Sequence, residues 1–196
     1  MKNSVFTILL FITGFSAMGQ NFYDLSPYSQ KLYGAYYVYN KNRLSITDML
    51  YYLEKFPKTK DDFIFTFDPD ERDGIRHKEL YVVANEYIEA LEQIGGVLPD
   101  SVLKLGLGIC KQMQWSHGIS EKFQHVMLTV AADNPVKFVD WAYTLRRKDM
   151  EKAVNYLADV ESKPECAVYK KLIDNLHEVG AYNLEGMLER ARTYSH

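Results

Sequence analysis

Glu121 and His125 stand four residues apart, a spacing that sets both on one face of a helix, and His117 lies just upstream. A carboxylate beside an imidazole can move protons, and a His-Glu-His trio can bind a metal. The His-Glu-x-x-His signature of helical zinc sites is absent, however. Ser120 reads as the N-cap of the helix, which leaves His117 in a loop and makes Glu121 a favourable negative charge in the first turn.

A second group of carboxylates runs Asp68-Pro69-Asp70-Glu71-Arg72-Asp73-Gly74 and continues to Glu79. Counted as a calcium loop from Asp68, it places Asp70 at position 3 and Glu79 at position 12, with Asp73 between them. The match fails at Arg72, a cation in a ligand position, and at Gly74, one place late for the sharp turn. An acidic turn capping a helix that begins near Arg76 accounts for the stretch better. On that helix Glu79 and Glu86 lie two turns apart, roughly 10 Å by helix rise, opposite its apolar stripe. With Glu121 and His125 they supply the acid-base groups for one alternative reading, an exported hydrolase or lyase acting on glycan or cell-wall material.

Nucleophilic chemistry has little to work with. Cys110 lies on an apolar stripe beside Ile109, where a thiolate is disfavoured. There is no Gly-x-Ser-x-Gly elbow and no glycine-rich phosphate loop. Leu105-Gly106-Leu107-Gly108 falls inside a helical pattern with no strand before it, so its glycines are expected to serve close helix packing. No catalytic residue, metal or cofactor is assigned on this reading. The two cysteines, Cys110 and Cys166, both sit on apolar stripes, and a disulfide and a pair of buried thiols are equally compatible with them.

The elements that position these residues read almost entirely as helices. Ser26-Pro27 opens one that should run to about Asn40, and Ser45 with Asp48 opens another, carrying Ile46, Met49, Leu50 and Leu53 inward until Pro57 stops it. The two should form an antiparallel hairpin. The strongest pattern covers residues 76–94, closed by Gly95; the next follows Pro99-Asp100 and is apolar nearly all round, so it should be central. Caps at Ser120, Asn134, Asp149, Ser162 and Asn183 open the remaining helices, and Arg146-Arg147-Lys148 should be a solvated helix C-terminus. The expected class is all-α, a compact irregular bundle of about eight helices, with a helical-hairpin stack as the other topology. One long aromatic and acidic loop, residues 58–74, interrupts it; there Phe63, Phe65 and Phe67 alternate as on a short extended piece.

The first nineteen residues have one cation (Lys2), an apolar stretch from Val5 to Phe15, and Ala17 and Gly19 two apart, the three-part pattern of a cleaved secretory leader. Residues 20–196 would then be a single helical domain, exported to the periplasm of a Gram-negative cell or otherwise secreted, with no integral membrane segment. The chain has 196 residues, 23 Lys plus Arg and 26 Asp plus Glu; loss of Lys2 takes its net charge from −3 to −4. That balance disfavours nucleic acid as a partner, since phosphate binding needs clustered cations.

Of 15 tyrosines, eight fall between Tyr23 and Tyr52. On the first helix Leu32, Ala35, Tyr36 and Tyr39 form one stripe and Tyr33 and Tyr37 the next, more than a single inward face of about 100° absorbs. Tyrosine carries a large rigid ring with one polar handle, the character of residues that anchor interfaces. The expected binding surface is therefore Tyr33, Tyr36, Tyr37 and Tyr39 with Phe63, Phe65 and Phe67. The leading expectation is an exported module that binds another protein of the cell envelope, as an adaptor or as a neutraliser of a toxin or hydrolase. A small-ligand carrier with the aromatic loop as lid is the third option.

Overall fold

The computed structural model describes residues 25–67, 80, 83–114, 118–160 and 163–194. Every regular element among them is a helix, ten in all, so the expected all-α class is what the structure shows. Chain contacts divide the molecule into two compact units. Among the described residues the first holds 25–56, 65–67, 80 and 83, and the second holds the rest.

The first unit is a helical hairpin of α1 (Pro27–Lys41) and α2 (Ile46–Lys55). Both expected caps form: Ser26 Oγ accepts from the Ser29 N–H, and Ser45 Oγ from the Asp48 N–H, each at 3.2 Å. The Tyr28 hydroxyl, at the start of α1, donates to the Lys55 carbonyl at the end of α2, which pins the antiparallel pairing. Between the helices runs a column of rings: Tyr39 stacks on Tyr52 at 5.6 Å, and Tyr52 meets Phe56 edge-on at 5.8 Å. This column sets which face of α2 is buried. Met49, Tyr52, Leu53 and Phe56 point inward at helical spacing, and Ile46 and Leu50, expected inside, are turned to solvent.

The 58–74 expectation is corrected over its described part. Lys60–Phe67 is a helix, α3, not an extended loop. Its start is capped by Thr59, a signal that the alternating phenylalanines obscure: Thr59 Oγ1 accepts from the Asp62 N–H and donates to the Asp62 carboxylate. Phe63, Thr66 and Phe67, spaced three and four apart, are the buried residues, and Phe65 faces out. Helix α3 starts in the second unit and ends in the first, where Phe67 packs on Phe56.

The rest of the second unit comprises α4 (Ala84–Val97), α5 (Pro99–Cys110), α6 (Ile119–Asp133), α7 (Pro135–Thr144), α8 (Arg147–Ala158), α9 (Lys163–Glu178) and α10 (Tyr182–Tyr194). The central helix is α6, not α5. It packs on α4, α5, α7, α8 and α9, and ten of its residues are buried. Two glycines let its neighbours approach. A Cβ on Gly95 of α4 would lie 2.5 Å from Val130 Cγ2, and one on Gly106 of α5 would lie 2.1 Å from Met127 Sδ. Gly106 thus does what the sequence suggests, whereas Gly95 lies inside α4, which continues to Val97.

Three further caps differ from expectation. Gly118, at φ 79°, precedes α6, and Ser120 is inside the helix and buried. Its hydroxyl meets the Tyr156 hydroxyl at 3.3 Å, and Tyr156 donates to the Ser120 carbonyl at 2.6 Å. Asp149 lies in the first turn of α8, whose N-cap is Arg146. The run 146–148 thus opens a helix; the unfavourable end is offset by Arg146–Asp149 and Arg147–Glu151 pairs at 3.1 Å. The Arg146 hydrogen bond holds the Asp149 carboxyl below its usual range. Helix α10 starts at Tyr182, one residue before Asn183. Ser162 and Arg76 lie outside the described residues.

Candidate binding surface

The expected tyrosine surface divides. Tyr39 is in the core, as are Phe63 and Phe67, so these three leave the candidate surface. Tyr33, Tyr36 and Tyr37 are half-buried and Phe65 is exposed. Burial, with Tyr37 second, raises the Tyr33 phenol above its usual range, and burial raises Tyr39 against the opposing pull of Arg43. Tyr37 also carries a cation, with Lys41 Nζ 4.3 Å from its ring centre, and Lys55 sits 5.4 Å over Tyr51.

Around the hairpin turn lie apolar side chains that the sequence reading leaves out or places inside. Leu44 is 88% exposed, Ile46 55% and Leu50 47%, and Val38 and Tyr51 are exposed with them. One signal points the wrong way. Leu44 precedes the N-cap Ser45 and stands where a hydrophobic staple to Met49 is expected; Met49 is buried and Leu44 is in solvent. Of the eleven exposed large apolar residues among those described, six belong to this smaller unit: Val38, Leu44, Ile46, Leu50, Tyr51 and Phe65.

Two adjoining recesses of about 700 and 320 Å³ open on the second unit, between α7, α8 and α10 and at the α9–α10 turn. They share Tyr143 and Asn183. The apolar residues of α10 divide there: Leu184 and Leu188 are buried, and Met187 and Ala191 line the larger recess.

The groups with chemical potential are dispersed. Glu86 is exposed on α4, and Glu121 and His125 are half-buried on α6; neither recess includes them. Asp68, Asp70, Asp73, Glu79 and His117 lie outside the described residues. No group of three or more His, Cys, Asp or Glu able to hold a metal occurs among the described residues. Both cysteines are free thiols in the structure, with no disulfide between them. Burial pushes the Cys110 thiol far up, and Cys166, half-buried on α9, accepts from Arg192 Nη2 at 3.3 Å. No described helix is long and apolar enough to cross a membrane. No protein family, curated protein or solved structure matches the chain.

Proposed function

We propose that the chain is an exported helical module whose α1–α2 hairpin binds another protein of the cell envelope, as an adaptor or a neutraliser. The observation that supports it is the solvent-facing set Leu44, Ile46 and Leu50 on the hairpin that also carries the half-buried Tyr33, Tyr36 and Tyr37. Apolar area and partly exposed tyrosines gathered on one hairpin have the composition of an interface core. The same hairpin carries Lys31, Lys41, Arg43 and Lys55 against Asp48 and Glu54, whereas the whole chain is net negative. A partner face with an acidic rim would complement it. Export rests on the leader pattern of residues 1–19.

The test uses tagged full-length chain in its native host. Wild type should retain one specific partner and have Gln20 as its first residue by intact mass. Leu44→Glu with Leu50→Glu should weaken that retention by about tenfold or more with helicity unchanged, because truncated anchors typically cost over 1 kcal/mol. Equal recovery by wild type and double variant would remove the hairpin from the interface.

A further inference from the structure

The two recesses of the second unit form one groove, and its lining is selective. The floor is apolar: Val154 is buried, Met150 and Met187 are half-buried, and Val139 and Tyr143 continue it into the smaller recess. Tyr143 and Tyr182 stand exposed along it, the Tyr182 ring edge-on to His177 at 5.2 Å. Polar side chains line it as well: Arg147, Glu151, Asn155, Asn183 and Arg190 in the larger recess and Asp140 in the smaller. The carboxamides of Asn155 and Asn183 are exposed and make no side-chain hydrogen bond among the described residues.

Charge gives the groove a direction. The larger recess holds Arg147 and Arg190. Arg147 is paired with Glu151, but Arg190 has no acidic partner among the described residues, and its guanidinium lies along α10 above Gly186, 3.2 Å from where a Cβ would be. The smaller recess holds Asp140, likewise without a cation. One end thus offers a free guanidinium, which suits a carboxylate, and the other a free carboxylate.

We propose that this groove binds an extended segment of a partner protein in which an acidic residue or C-terminal carboxylate is flanked by apolar side chains. Arg190 takes the carboxylate. The apolar side chains fill the floor between Met150, Val154 and Met187 and reach past Tyr143. Asn155 and Asn183, each with two donors and one acceptor oxygen, pair with main-chain N–H and C=O groups that an extended segment leaves unsatisfied. A helical occupant would satisfy its own main chain and leave both carboxamides unused. This surface lies wholly within the second unit and its test is independent of the hairpin.

Panning a phage-displayed library of linear dodecapeptides against the purified full-length protein tests it. Enriched peptides should carry Asp or Glu, or a free C-terminus, among Leu, Ile, Phe or Tyr. As synthetic peptides they should lose about tenfold or more affinity on Arg190→Glu and on Tyr143→Ala, in line with the loss of a charged partner or an aromatic anchor. Replacing the peptide's acid with Lys should restore binding to the Arg190→Glu protein and abolish it with wild type. Asn183→Ala should weaken a peptide more than its analogue methylated at the main-chain nitrogens. Both proteins should sediment as monomers. Failure to enrich, enrichment of basic peptides, or affinity indifferent to Arg190→Glu overturns the proposal. So does a dimer broken by Tyr143→Ala, which would make the occupant a second copy of the chain.

Discussion

Helices α2 and α6 are similarly apolar on average and have opposite surroundings. Helix α6 packs against five neighbours, and its buried residues spread around the helix from Ile119 to Ala132. Helix α2 packs chiefly on α1, with the rings of Tyr39 and Tyr52 stacked between them. Apolar residues of α2 that the column does not need, Ile46 and Leu50, are left facing solvent. Whether an apolar residue is core or surface is thus decided by the number of neighbours and the size of the rings already between them, not by its own hydropathy.

If that contrast is right, substitutions should divide sharply between the two helices. The largest effect is expected at Phe123 of α6, fully buried with its ring 4.9 Å from Phe63. Phe123→Ala should cost about 3–5 kcal/mol in urea unfolding, the range for deleting a buried phenyl group. A cost near that of a surface substitution would mean α6 is not the centre of its unit.

Adjacent glycines of α4 sharpen the point. Gly95→Ala forces a methyl against the stiff Val130 and should destabilise by about 1–3 kcal/mol, an overpacking cost. Gly96→Ala meets nothing within 4 Å and should stabilise by about 0.5–1 kcal/mol through helix propensity and a more restricted unfolded chain. Equal and favourable effects at both positions would show that α4 does not lie against α6 at Val130.

The Tyr156–Ser120 contact is the next in size. Tyr156→Phe should cost about 1–2 kcal/mol, because it removes a buried donor from the Ser120 carbonyl. It also has a pH signature. Burial, then Cys110, raises the folded phenol well above its usual value. The unfolded tyrosine ionises first, near pH 10. Stability from this group is therefore full below about pH 10 and falls as pH rises beyond it, where the unfolded chain has released a proton the folded chain keeps. Denaturation midpoints from pH 9 upward should fall more gently in Tyr156→Phe than in wild type.

The smallest effect belongs to α2. Leu50→Ser and Leu44→Ser should each lie within about 0.5 kcal/mol of wild type, as surface substitutions do. A cost of core size at either position would mean the side chain is covered after all.

Much of this was legible beforehand, and the failures have causes. The hairpin follows from Ser26-Pro27 and from Ser45 with Asp48, local signals that tertiary packing does not alter. The stripe of α2 was misassigned by one face because Tyr52 and Phe56 compete with Ile46 and Leu50 for the inward position, and ring stacking favours the former. Helix α3 is hidden by alternating phenylalanines, although Thr59 caps it through the Asp62 N–H. Tyr39, Phe63 and Phe67 could not be separated from Tyr33, Tyr37 and Phe65 by type, since only contacts decide which rings are covered. The groove had no linear signal at all: Tyr143, Arg190 and Asn183 come from two helices and meet only in the fold.

Site-specific photo-crosslinking in the native host tests the central claim most directly. A benzoylphenylalanine placed in turn at Leu44, Ile46 and Leu50 should give one adduct of the same partner, absent from a probe at the exposed Lys152 of α8. No adduct from the hairpin positions, or the same adduct at equal yield from Lys152, would contradict a binding surface on the α1–α2 hairpin.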